Sequence, residues 1–137
     1  MAKQRSILYI RSYSDELKIE TVKKLLAIEP INFWQKGESM IVNGINKNKP
    51  WVSSNWSYEE PEKEVNAIIE GLTTLLKIFL PYKKELAEIK KMGFETSACI
   101  VLHYEHKNLP DLSLDIFCIK SLADLDLELN YDNYLMD

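Results

Sequence analysis

The stretch EKEVNAIIEGLTTLLKIFLPYKKELAEIKKMGFETSACIVLHY (Glu62–Tyr104) decides the fold. In its first part Val65, Ile68, Ile69, Leu72, Leu75, Leu76 and Phe79 recur at i, i+3, i+4 and i+7, which puts them on one face of a helix and predicts an amphipathic helix over Glu62–Phe79. Pro81 lacks an amide N–H and breaks or kinks that helix. The pattern resumes from Tyr82 to Met92, with Leu86 and Ile89 inward and Lys83, Lys84, Lys90 and Lys91 outward, and Gly93 provides a C-cap. Phe94–Tyr104 follows as a long strand. A kinked helix delivering the chain into a strand points to a mixed architecture.

Working toward the N-terminus, Trp51–Tyr58 reads as a strand with aromatics interleaved by Ser-Ser-Asn, and Asn43–Pro50 before it as a polar, turn-rich loop. Asn32–Lys36 is a short strand carrying Phe33 and Trp34, turned out by Lys36-Gly37-Glu38. Leu17, Val22, Leu25, Leu26 and Ile28 form a helical face that stops at Pro30, with Ser14-Asp15 as its N-cap, and Ser6–Tyr13 is a first strand. Toward the C-terminus, a turn at Asn108–Asp111 leads to a helix over Ser113–Leu122 with Leu114, Phe117, Cys118 and Leu122 at helical spacing. Leu125–Tyr131 alternates strictly, with Leu125, Leu127, Leu129 and Tyr131 on one face and Asp126, Glu128, Asn130 and Asp132 on the other. The order is β-α-β-β-α-β-α-β. It predicts a single α+β domain over residues 1–137, a mixed or antiparallel sheet of about five strands covered by helices. No internal repeat or low-complexity segment interrupts it.

Composition agrees with one globular domain. The 137 residues are 46% hydrophobic and 28% charged, and a chain of this size buries roughly 65–70% of its unfolded surface, enough for a core without metal or disulfide staples. A net charge of −4 weighs against nucleic acid, whose affinity comes mostly from phosphate neutralisation. Charge is uneven: residues 1–49 carry nine basic and five acidic side chains, residues 50–137 eight and sixteen. The electrostatic partner of that acidic part is a basic protein surface, the alternative being a merely solvated face. Cys99 and Cys118 lie among apolar neighbours and read as buried, reduced thiols. The four apolar residues Ile7–Ile10 are too few for a signal-peptide core or a membrane span, so the expected location is cytoplasmic and no membrane partner is expected.

Asp126, Glu128 and Asp132 are the sharpest local feature. On one strand face, side chains two apart stand roughly 6.6 Å from each other, so they line a row rather than enclose an ion. The row reads as a partner-docking edge or a solvated face, not a metal site. His103 and His106 flank Tyr104-Glu105 at a strand end, where alternating directions keep them from converging on a metal. No Ser-His-Asp arrangement is specified, and the four glycines form neither a phosphate loop nor a dinucleotide fingerprint, so no catalytic residue and no cofactor is assigned. Trp34, Trp51 and Trp56 gather around the polar loop with Phe33 and Tyr58, where exposed aromatics would make a recognition surface and buried ones would be core.

Three short motifs come together: Leu26-Ala27-Ile28-Glu29-Pro30 with Lys36-Gly37-Glu38 soon after, Asn55-Trp56-Ser57, and the ending Asn130-Tyr131-Asp132-Asn133-Tyr134. Over nearly its whole length the chain resembles the bacterial domain-of-unknown-function 4279 family. The resemblance implies a compact α+β domain and carries no catalytic residues. Some related small acidic proteins look like immunity proteins of bacterial toxin systems, an association rather than a mechanism. The chain departs from the family pattern in its loop rich in lysine and asparagine (Asn43–Pro50) and in lacking the glycine often found before the last strand, where it has Leu122-Ala123-Asp124-Leu125. The resulting expectation is a non-enzymatic cytoplasmic protein-binding domain of the immunity type that neutralises a basic toxin, contacting it through Asp126, Glu128, Asp132, Trp34, Trp51 and Trp56. A small enzyme with an unrecognised active site and a structural homo-oligomer subunit are the alternatives.

Overall fold

Alternation along the first strand sets the two sides of the molecule. The computed structural model describes residues 2–137, and in β1 (Ala2–Ser12) Ala2, Gln4, Ser6, Leu8, Ile10 and Ser12 point to one side and are buried. β1 pairs antiparallel with β5 (Ser54–Glu59) on one flank and β7 (Glu95–Tyr104) on the other, and its first residues pair with the three-residue β6 (Lys63–Val65). β2 (Asn32–Trp34) adds to β5 at one edge, and β8 (Glu128–Leu135) runs parallel to β7 at the other. The result is a mixed six-stranded sheet of order β2-β5-β1-β7-β8, with β6 also on β1. A separate two-stranded sheet is formed by β3 (Ser39–Val42) and β4 (Ile45–Pro50).

Four helices lie on the side to which Leu8 and Ile10 point. They are α1 (Glu20–Leu25), α2 (Ile69–Phe79), α3 (Lys83–Lys91), reached through a 3₁₀ turn at Leu80–Tyr82, and α4 (Ile116–Asp124), which makes the crossover that a parallel β7–β8 pair requires. Val22, Leu72, Leu75, Leu76, Phe79, Leu86, Ile89, Cys118 and Leu122 from these helices join Leu8, Ile10, Trp56, Ala98, Ile100 and Leu102 from the sheet in one core. Trp56 meets Phe79 edge-on, with centroids 6.1 Å apart, the arrangement favoured by the aromatic quadrupole. Among the described residues no helix is long and apolar enough to cross a membrane.

The α+β class stands, and several element boundaries move for identifiable reasons. The helix expected over Glu62–Phe79 begins only at Ile69, because Lys63–Val65 pairs with Ala2–Gln4 as a strand. The amides of Asn66 and Ala67 then donate to the Glu70 carboxylate, both at 2.7 Å, and start the helix. Val65 is buried as expected, but from a strand. The first helix is shorter than its apolar face suggested, and Ser14-Asp15 is not its N-cap. Gln35 does that work from sixteen residues away, accepting from the Ile19 amide at 2.8 Å and donating to the Leu17 carbonyl at 3.1 Å. The polar loop at Asn43–Pro50 is a hairpin arm, its Asn43-Gly44 turn having φ of 51° and 77°, the double positive φ that a two-residue hairpin turn needs. The last strand begins at Glu128 instead of Leu125. Leu125–Leu127 closes α4: Leu127 N–H donates to the Leu122 carbonyl and Asp126 N–H to Ala123. Asp126, at φ 53°, holds the left-handed position of this closure that glycine usually fills.

Candidate functional site

All the buried apolar side chains of the four helices belong to the core on one side of the sheet, so among the described residues the other side carries no α-helix. Ile7 and Val101 are buried there yet stand outside that core. The strand register writes this open face as rows across the sheet, in which Asn55, Ser57, Ile7 and Val101 are buried and the rest half-buried or exposed. Trp34, Asn55, Arg11 and Glu95 form one row; Asn32, Ser57, Tyr9, Ser97 and Glu128 the next; Glu59, Ile7, Cys99 and Asn130 a third. Arg5, Val101 and Asp132 follow, then Lys3, His103 and Tyr134.

Short contacts order these side chains. Arg5 Nη1 donates to Glu59 Oε1 at 2.6 Å, and this bond holds the guanidinium above its ordinary pKa. The Arg11 guanidinium lies 5.8 Å from the centroid of the Tyr9 ring, whose phenol is pushed up by burial. Tyr134 Oη donates to Asp132 at 3.1 Å, which raises the phenol, while the Tyr134 ring stacks on His103 at 4.9 Å. At the Arg11 end a depression of about 430 Å³ opens between Arg11, Glu95, Ser97, Glu128, Asn130 and Lys90. At the β2 edge Trp34 and Trp51 stack with centroids 3.8 Å apart and planes 8° from parallel.

The six residues singled out from sequence separate into four groups. Glu128 and Asp132 sit on the open face of β8, about 13 Å apart by the strand rise, with Asn130 between them. Asp126 is not in their row: it lies in the turn that ends α4 and pairs with Lys90. Trp34 and Trp51 belong to the same face but to the opposite edge, four strand spacings or roughly 19 Å from β8. Trp56 is wholly buried against Phe79 and has no surface to offer. Ser97 and Cys99 of β7 are central to the face, the latter read from sequence only as a buried thiol, and Tyr9 and Arg11 beside them escaped the sequence reading. Their signal is the odd-numbered half of β1, where Lys3, Arg5, Tyr9 and Arg11 alternate with buried residues.

Cys118 is buried as expected, but Cys99 is only half-buried and stands on the open face, where burial first and Asp132 second push its thiol up. A catalytic thiol needs the opposite shift, and the neighbours of Cys99 in register are Ile7 and Asn130. His106 binds the Asp137 carboxylate at 2.7 Å, whereas His103 stacks on Tyr134. Among the described residues no group of three or more His, Cys, Asp or Glu side chains is placed to hold a metal ion.

No curated protein and no solved structure matches this chain. A sequence model does, over residues 4–136 and thus nearly the whole chain, and the chain belongs to the family it defines, the domain of unknown function DUF4279.

Proposed function

We propose that this domain is a protein-binding module of the immunity type whose open sheet face docks a basic partner protein. One observation carries the reading: the face without helices presents a stacked Trp34–Trp51 pair at one edge, Tyr9 and Arg11 at the centre, and the carboxylates of Glu128 and Asp132 at the other edge. Trp, Tyr and Arg are the residues that dominate binding energy at protein interfaces. Carboxylates at the rim act mainly on encounter rate and specificity. The acidic balance of residues 50–137 favours a basic partner over an acidic one.

The test compares immobilised wild-type protein with two variants, Trp51→Ala and the pair Glu128→Gln/Asp132→Asn, against a lysate of the source cell. A basic protein should be retained by the wild type, lost in affinity by the tryptophan variant, and slowed in salt-sensitive association by the acidic pair. Retention that neither variant changes would refute the reading. So would hydrogen-exchange protection on the helical side of the complex, or the capture of no protein at all.

A further inference from the structure

The two edges of the main sheet are unlike. β2 is three residues long, and Trp34 at its end is covered by Trp51, which are the usual devices that stop an edge from pairing. β8 has eight residues, and its pairing with β7 runs unbroken from Ser97↔Glu128 to Tyr104↔Leu135, without a bulge. It contains neither proline nor lysine, seven of its eight residues are exposed, and Tyr131, Tyr134 and Leu135 are among them. Among the described residues nothing pairs with its outer side.

We propose that this edge joins two copies of the chain, β8 to β8, antiparallel and centred on Tyr131, so that the two sheets become one. The register follows from hydrogen bonding and charge. Outward-pointing amides on one edge come from alternate residues, so two identical edges running antiparallel can align only residues of like parity. Those residues share a face, and the helices of both copies therefore lie on the same side of the joined sheet. Two registers of this kind pair seven residues within β8, one centred on Tyr131 and one on Asp132. The second places Asp132 directly against its own copy, and like charges directly opposite are destabilising. A shift the other way, to Asn130, keeps only five residues and sets Glu128 against Asp132. Centring on Tyr131 instead pairs Tyr131 with itself, Leu129 with Asn133, Asn130 with Asp132, and Glu128 with Tyr134, so no two carboxylates meet. The arrangement is independent of the docking face proposed above and leaves that face uncovered.

Cross-linking reads the register directly. With Cys99→Ser as background, Tyr131→Cys puts two thiols face to face across the axis, within the reach of a disulfide, whereas Asn130→Cys or Asp132→Cys alone places them two residues out of step, beyond about 7 Å. Under mild oxidation Tyr131→Cys should form covalent dimers roughly tenfold faster than either, and a mixture of Asn130→Cys with Asp132→Cys should form heterodimers as readily as Tyr131→Cys forms homodimers. The wild type should sediment at twice the 16.0 kDa of the chain, and Tyr131→Lys, which sets two ammonium groups on the axis at an exposed site, should sediment as a monomer with an unchanged circular dichroism spectrum. A wild type that stays monomeric at about 100 μM, far above the working range of a specific dimer, overturns the proposal. Fastest linkage through Asp132→Cys, equal linkage at all three positions, or a Tyr131→Lys variant that remains dimeric overturns it as well.

Discussion

Replacing Gly71 by alanine opposes two effects whose sizes can be compared. Gly71 lies inside α2, where alanine is favoured over glycine by about 1 kcal/mol. A Cβ there would stand 2.7 Å from Gln4 Nε2 and 2.9 Å from Ser6 Oγ. The glutamine is the end of a flexible side chain, but it is 1% exposed, and its Nε2 donates to Ser6 Oγ at 3.0 Å and to the Ile68 carbonyl at 2.9 Å. Moving it aside leaves a buried amide and a buried carbonyl unpaired, at about 1–3 kcal/mol each. The lost hydrogen bonds therefore outweigh the helix gain, and Gly71→Ala should cost a net of about 2 kcal/mol, or about 6–10 °C in Tm for a chain of this length. Urea unfolding followed by tryptophan fluorescence, at one protein concentration throughout, should show a lower midpoint with an unchanged slope. Adding Gln4→Ala should then cost less than the two single changes together, because the clash is already gone. A Gly71→Ala protein as stable as the wild type would refute the reasoning, since it would mean that the Gln4 amide yields cheaply and helix propensity decides.

Asp126 pays for a left-handed backbone at φ 53° while its exposed pair with Lys90 returns little; Asp126→Gly should be neutral to about 0.5 kcal/mol stabilising and Asp126→Ala destabilising by about 1 kcal/mol in the same urea assay. Thiol titration should find Cys99 reacting slowly in the native protein, faster only as pH rises past the ordinary thiol range, and Cys118 reacting after unfolding, whereas a disulfide in fresh protein contradicts both placements. The Cys118 amide bonded to Asp115 holds that carboxyl below its ordinary pKa. A depressed carboxylate contributes stability that is present above its unfolded pKa and lost as pH falls through the folded one, so Asp115→Asn, which keeps an acceptor but cannot titrate, should show a shallower loss of stability on acidification between about pH 5 and 2. An unchanged acid limb would mean that the cap contributes nothing to it.

The α+β class, the helical faces of residues 69–79 and 83–91, and the strands around Leu8, Ile100 and Leu129 were legible because hydrophobic periodicity is a local property, carried by side chains whose spacing follows from the backbone geometry of each element. At Asn43-Gly44 only the turn was legible: the stretch to Pro50 read as a polar loop, and its pairing with Ser39–Val42 as a hairpin was missed. Four features belong to tertiary structure alone. Lys63–Val65 left the helical pattern because Ala2–Gln4, some sixty residues earlier, offered a ladder, and Ile19 found its cap in Gln35 rather than in the adjacent Ser14-Asp15. Trp56 went into the core while Trp34 and Trp51 stacked outside it, a division that depends on which face of β5 and β2 meets Phe79. Asp126 dropped out of the acidic row because its backbone was needed to end α4. Periodicity gives each residue its side of an element, but which side faces helices and which faces solvent is chosen by partners far away in the chain, and the open face and the free β8 edge exist only once that choice has been made.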